Sequence, residues 1–315
     1  MRAIVITAQG GPDVLVYAEH PDPVPGEGEV LVDVAASGVN FIDIYHRSGA
    51  YPLSLPSPIG TEGAGVVSAV GPGVRDVAVG DTVAWVNVLG SYAEKAVVPA
   101  ARTVPVPDGV PAEVAAAAML QGMTAHYLTH STHEVREGDN VLVHAAAGGM
   151  GQLLTQLAKL RGARVFATVS TEEKEKLARE AGADEVLRYD DFAEALRDRM
   201  DVVYDGVGAT TFDGGLVALR PRGLMALFGA ASGPVPPVDP QRLNQNGSLF
   251  LTRPTLVHYI AERDELLRRS SDVFGWIASG ELKINISHRY PLVEAVRAHE
   301  DLAARRTTGK LLLVP

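Results

Sequence analysis

The 315-residue chain contains no cysteine, so disulfides, a thiolate nucleophile and thiolate-bound zinc are excluded by arithmetic. It also lacks surplus positive charge. Its 28 Lys and Arg against 38 Asp and Glu give a net charge of −10, which disfavours nucleic acid as a partner, because phosphate-backbone binding needs clustered cations. No apolar run approaches the ~18–20 residues of a membrane-spanning helix. The start MRAIVITAQGG has no cleavable apolar core, so a cytoplasmic location is expected. What is present is 46% hydrophobic and 21% charged residues, a globular composition, at a length that suits two domains of about 100–200 residues.

From Met1 to about Arg102 short β-like runs are cut by turn signals: MRAIVIT, PDPVPGEGEVLVDVAASG, GAGVVSAVGPGV and GDTVAWV. This predicts compact all-β structure. Glu29 to Val34 alternate apolar and acidic residues after a turn at Gly28, the pattern of a half-buried strand. Pro111 to Thr129 is alanine-rich and predicts a helix, with Pro111 at its start. Between Asp139 and Gly229 strand-like and helix-like segments alternate. NVLVHA precedes MGQLLTQLAKLRG, RVFATV precedes TEEKEKLAREAG, EVLRY precedes DDFAEALRDRM, DVVYDG precedes TTFDGGLVALR, and GLMALFG follows. These strands are apolar and β-branched enough to be covered on both faces, so an α/β fold with a doubly wound parallel sheet is expected. A strand candidate SLFLT, a helix from about Ala261 to Ser279 and the strand-like tail KLLLVP complete the chain.

The stretch HAAAGGMG, His144 to Gly151, lacks the first glycine of a dinucleotide-binding turn. Ala146, Gly148 and Gly151 stand at its three glycine places. In that motif the glycines serve a tight turn, close approach to pyrophosphate and close helix–strand packing. Alanine is admissible at the first place if its backbone stays in a permitted region, and Gly148 leaves room for a phosphate at a helix N-terminus. Position between a buried strand and an amphipathic helix favours the dinucleotide reading over a mere sharp loop. A second absence concerns the next strand. RVFATV ends in Ser170-Thr171, where an NAD-preferring unit offers an acid to the ribose. The Ser170 hydroxyl and Lys174 ammonium suit a 2′-phosphate instead, so NADPH is expected over NADH. Glu172 and Glu173 complicate this, although acids at a helix start also suit the helix dipole.

The segment NFIDIYHRSGAYPLSLPSPIGTEGAG, Asn40 to Gly65, together with HAAAGGMG and SLFLTRPTL, closely resembles the zeta-crystallin-like quinone oxidoreductases of the medium-chain dehydrogenase/reductase superfamily. The resemblance runs essentially end to end, with Gly65, Gly71, Gly73, Gly80 and Asp81 fitting the superfamily's barrel turns. It implies a GroES-like, mainly β catalytic domain from residues 1–124 and 263–315. A Rossmann-type domain, residues 125–262, is inserted between them, with the site in the cleft. Zinc members place a ligand cysteine before the NFID-like segment and a histidine inside a GHE motif. Here Ser37-Gly38-Val39-Asn40 and Gly60-Thr61-Glu62 stand instead, so no metal is expected. The nine histidines show no ligand spacing and read as surface or packing residues.

The resemblance also implies site residues. Asn40 and Tyr45 would face the nicotinamide and its ribose side, and Tyr127 would flank the cofactor. Gly148, Gly149, Met150 and Gly151 would line the pyrophosphate, Ser170 and Lys174 the 2′-phosphate, and Tyr189 the adenosine end. Val207, Gly208, Phe228, Gly229 and Thr252 would border the nicotinamide half, and Arg305 would add a phosphate contact. Read from the residues alone, Asn40 suits a turn, Tyr45 and Tyr51 a domain edge, and Phe228 a core. The implied reaction is hydride transfer from NADPH to a quinone. Asn40 and Tyr45 would orient nicotinamide and acceptor oxygen, and Tyr51 or water would help deliver the proton. Reduction of an activated alkene, with a hydrogen-bond donor at the developing enolate, and a non-catalytic NADPH-binding protein are the alternatives. SLFLT, pairing edge to edge with a second copy as in relatives, implies a homodimer, against an edge covered by the preceding loop.

Overall fold

The computed structural model describes residues 1–315 and divides into two units, Met1–Gln121 with Ile260–Pro315, and Gly122–Tyr259. No helix is long and apolar enough to cross a membrane.

The first unit is built on a seven-stranded sheet in the order Ile286–Pro291, Lys310–Val314, Glu29–Val39, Glu62–Val70, Thr82–Val86 and Thr103–Pro105, with Lys95–Pro99 also paired to Glu29–Val39. Along Glu29–Val39, Val30 and Val32 are buried and Asp33 is exposed. The buried valines pack with Val67, Val83, Trp85, Ala96 and Val98. Register shifts at Leu31/Val32 and Val34/Ala36 are irregularities of the kind that bend a long strand, so that it serves several partners. A smaller antiparallel sheet joins Val16–Glu19, Arg2–Ile6 and Ser57–Pro58.

The all-β expectation for Met1 to Arg102 needs a correction, because Phe41–Ser48 is an α-helix. Its signals outweigh the β propensity of Phe41, Ile42, Ile44 and Tyr45. The Asp43 carboxylate reaches back to the Asn40 N–H at 2.9 Å, and Gly49 closes the helix at φ 83°; both are standard helix ends. Two further elements were not expected, the strand Ile286–Pro291 and the helix Ala295–Ala303. In the strand His288 and Arg289 are exposed, so an edge position hides the apolar signature.

In the second unit six parallel strands lie in the order Glu185–Leu187, Arg164–Thr168, Asn140–Val143, Met200–Asp205, Leu219–Leu227 and Phe250–Thr252. Numbered along the unit this is 3-2-1-4-5-6, the doubly wound Rossmann order. Leu142, Phe166, Val203 and Met225 from the sheet pack with Phe192, Phe212 and Leu216 from helices. Of DDFAEALRDRM only Phe192–Ala195 is α-helical. The helix expected over TTFDGGLVALR stops at Ala218 and the strand begins at Leu219. Pro221 explains that stop, since a residue before proline is biased away from the helical region.

The helix at Phe41 is anchored by a buried polar chain. Asp43 accepts from Tyr92 Oη at 3.0 Å and Thr61 Oγ1 at 3.1 Å, and Tyr92 Oη lies 3.2 Å from His299 Nε2. Burial pushes Asp43 up to about 7, against three hydrogen bonds that pull it down. Burial, helped by Arg47, pushes His299 down to about 3. The raised carboxyl contributes stability that is whole below its ordinary value of 3.8 and is lost as pH rises toward 7. The depressed histidine contributes stability that is whole above 6.5 and is lost as pH falls toward 3. Their slopes oppose each other between those limits. Asp43→Asn removes only the first. The variant should therefore gain stability relative to the parent as pH rises from about 4 to about 7, by about 4 kcal/mol at most. Urea unfolding of both proteins across that range measures it, and a difference independent of pH would contradict the assignment.

Candidate functional site

The strand Asn140–Val143 runs into His144, and the chain turns at Ala145, which holds the left-handed φ of 52°. Because the left-handed residue is Ala145, alanine at 146 meets no conformational penalty there. Gly148 then caps the helix Gly149–Leu160 with no side-chain partner, leaving first-turn N–H groups of Gly149, Met150 and Gly151 without intrahelical acceptors. A Cβ on Gly151 would lie 2.4 Å from Ala145 O and 2.5 Å from Ala146 Cα, so glycine alone lets the helix start so close to the strand end. Tyr189 Oη accepts the Ala145 N–H at 3.1 Å. Beneath, His144 Nδ1 and Thr168 Oγ1 are 2.8 Å apart, and burial pushes this histidine down, which keeps its ring neutral.

At the end of the next strand the structure brings Ser170 and Lys174 together, with Lys174 Nζ donating to Ser170 Oγ at 3.2 Å. Thr171 Oγ1 caps the following helix through the Lys174 N–H. Arg188, overlooked in the sequence, donates to Thr171 O at 3.2 Å and to Glu175 at 3.0 Å. Its only sequence signal is a basic residue directly before Tyr189. A hydroxyl, an ammonium and a set of first-turn amides suit the 2′-phosphate and pyrophosphate of NADPH in chemistry and charge.

The remaining loop residues of this unit converge on Asp205. Its buried carboxylate accepts from the N–H groups of Val207 at 2.7 Å and Gly208 at 2.9 Å, and from Thr211 Oγ1 at 2.9 and 3.0 Å. Its carbonyl accepts from Phe228 and Gly229, while Ser232 N–H bonds Val207 O at 2.7 Å. Two loops that hold Val207, Gly208, Phe228 and Gly229 are thus laced into one. An acid directly before Gly-Val-Gly was the available signal for this turn builder. Thr252 ends the edge strand opposite Ala226. Tyr127 is buried and stacks on Tyr259 with ring centroids 4.1 Å apart and planes 7° from parallel, and burial pushes its phenol up.

In the first unit Asn40 sits at the N-cap of the helix that carries Tyr45. Its Nδ2 donates to Glu62 Oε2 at 2.7 Å and its Oδ1 accepts from Lys310 Nζ at 2.7 Å, two partners the sequence reading missed. Tyr45 and Tyr51 have ring centroids 5.2 Å apart, and Tyr51 N–H donates to Tyr45 O at 3.0 Å. Arg305 is exposed, in a turn with φ 55°. The two positions that carry zinc ligands in metal-bearing members hold engaged hydroxyls. Ser37 Oγ donates to Ser91 O, and Thr61 Oγ1 to Asp43 Oδ1. This donor set does not suit zinc, which takes thiolate, imidazole or carboxylate ligands.

The chain is similar to known proteins along its whole length. Residues 26–108 match the alcohol dehydrogenase GroES-like domain, and residues 149–270 match the family described as zinc-binding dehydrogenase. A quinone oxidoreductase of Pseudomonas aeruginosa is 46% identical over 100% of this chain and 99% of that protein. A 2-haloacrylate reductase of a Burkholderia species is 42% identical over 100% and 99%. The crystal structure of Escherichia coli quinone oxidoreductase complexed with NADPH has a TM-score of 0.97 at 43% identity, covering 100% of both chains. With these relatives matched along its whole length, the chain belongs to the quinone oxidoreductases of the medium-chain dehydrogenase/reductase superfamily.

Proposed function

We propose that the chain is an NADPH-dependent quinone reductase that works in the cytosol as a homodimer, with Gly122–Tyr259 as its cofactor-binding unit. The observation that carries the reading is the Ser170–Lys174 contact of 3.2 Å, where an NAD-preferring unit has an acid. NADPH, when bound, supplies the hydride, and a quinone accepts it without a Lewis acid because the resulting hydroquinone anion is comparatively stable.

The chain's own residues bind and orient. First-turn amides from Gly149 to Gly151, with Gly148 before them, hold the pyrophosphate, Lys174 and Ser170 hold the 2′-phosphate, and Tyr189 covers the adenosine end. Val207, Gly208, Phe228, Gly229 and Thr252 border the nicotinamide half, Tyr127 flanks it, and Arg305 adds a phosphate contact. Asn40 and Tyr45 set the direction of nicotinamide and acceptor oxygen, and Tyr51, 40% exposed, or water delivers the proton. The 2-haloacrylate reductase relative favours one second reading, reduction of an activated alkene on the same residues. The dimer rests on the strand Phe250–Thr252. It ends the sheet order, and Phe250 is 62% exposed, an edge suited to pairing with its copy.

Assayed with NADPH against a quinone panel and an enone panel, the protein should turn over quinones faster by kcat/KM. Consumption with neither panel would refute the function, and a preference for enones would install the second reading. Tyr45→Phe should lower quinone turnover, and unchanged kinetics would remove Tyr45 from the site. Lys174→Ala should raise KM for NADPH about tenfold, the loss of one charge-assisted contact, and leave KM for NADH unchanged. Equal effects on both nucleotides would count against a 2′-phosphate contact. In sedimentation the parent should run as a dimer and Phe250→Lys as a monomer; a monomeric parent would end the dimer proposal.

A further inference from the structure

Lys310 and Glu62 form an ion pair shut away from water, with 1% and 0% of their surfaces exposed, and the ammonium donates to Glu62 Oε2. Desolvating two charges is expensive, and well-packed apolar residues of the same volume often stabilise a protein as well or better. Stability is therefore a poor account of the pair, and what it holds is a better one.

The Asn40 carboxamide lies across it. Oδ1 accepts from Lys310 Nζ at 2.7 Å and Nδ2 donates to Glu62 Oε2 at 2.7 Å, closing a ring of three side chains. The ring fixes which end of the amide is which, since a flip would face NH2 with the ammonium and oxygen with the carboxylate. Gln121 Nε2 adds a second donor to Oδ1 at 3.3 Å, and Glu62 Oε1 accepts the Leu120 N–H at 2.5 Å. Space for the charges comes from Gly38, where a Cβ would lie 2.0 Å from Glu62 Oε2 and 2.8 Å from Lys310 Nζ. The members come from the first residues of two strands and the N-cap of the Tyr45 helix, so the ring sets that helix's start as well as the amide.

We propose that Lys310 and Glu62 are positioning residues for quinone reduction, locking the orientation of the Asn40 carboxamide. This rests on the proposed role of Asn40 toward nicotinamide and acceptor. Removing one charge alone strands the other and is strongly destabilising, so the test is the neutral pair Lys310→Met with Glu62→Gln, beside Asn40→Ala and the triple variant, all in the full chain. The neutral pair should unfold within a few degrees of the parent. It should bind NADPH within about threefold by fluorescence titration and lose about tenfold in kcat with a quinone. Asn40→Ala should lose a similar factor, and the triple variant should be no slower than Asn40→Ala, because the ring acts only through that amide. A folded neutral pair with parental kcat overturns the proposal, as do losses that multiply in the triple variant. Asn40→Ala with parental kcat and NADPH affinity sinks the role of Asn40 itself, and the proposal with it, an outcome visible without the other variants.

Discussion

Six parallel strands covered on both faces leave their ends and the two outer strands as the places open to solvent and ligand, and the ends place most of the candidate site. The strands of the second unit end at Val143, Thr168, Leu187, Asp205, Leu227 and Thr252. Each end coincides with, or lies within five residues of, a residue proposed to bind the cofactor. Because the strands are parallel, those ends lie along one edge of the sheet, as ligand sites do in open α/β folds. The first-turn amides of Gly149 to Gly151, the Ser170–Lys174 pair and the loops laced to Asp205 are consequences of that edge. Loop chemistry varies along it while the buried strands stay apolar.

The first unit solves a different problem, keeping polar side chains in a β interior. Two of its buried acids are bonded in chains rather than singly. Asp43 collects Asn40 N–H, Tyr92 and Thr61, and Glu62 collects Lys310, Asn40 and Leu120. A buried group left without a partner would cost the full desolvation of that group, so removal of one member is felt by its neighbours. Asn40 belongs to both chains, through its backbone N–H in one and its carboxamide in the other. The helix bearing Tyr45 is therefore held at its first turn by two networks of different charge character.

Much of this was legible in the sequence where the signal is local. The alternation of apolar strands and amphipathic helices between Asp139 and Gly229 fixes the sheet type, and the absence of an acid at Ser170-Thr171 itself, Glu172 and Glu173 notwithstanding, points to Lys174 in the first turn of the helix that follows. The family resemblance carried by NFIDIY, HAAAGGMG and TRPT supplied the rest of the quinone oxidoreductase reading. The helix Phe41–Ser48 was hidden by β-forming side chains, although Asn40, Asp43 and Gly49 marked its ends. Non-local pairs were beyond reach. Glu62 and Lys310 are 248 positions apart, and nothing in Gly-Thr-Glu or Thr-Gly-Lys says that their charges meet away from water. Arg188 was similarly hidden, because its partners Thr171 and Glu175 are brought to it by loop closure, whereas the carboxylate of Asp205 binds Val207, Gly208 and Thr211 close along the chain, a local signal that the Gly-Val-Gly after it carried.

A left-handed alanine opens the turn before the helix Gly149–Leu160, where glycine would sit without strain. Ala145 carries a conformational penalty of about 1–2 kcal/mol relative to glycine, but it also narrows the freedom of the unfolded chain, which offsets part of that. Its N–H is also fastened to Tyr189, a second restraint on the same residue. In the proposed pyrophosphate role, such restraint would lower the ordering entropy surrendered on binding, so alanine here exchanges a little folding free energy for a turn already in shape.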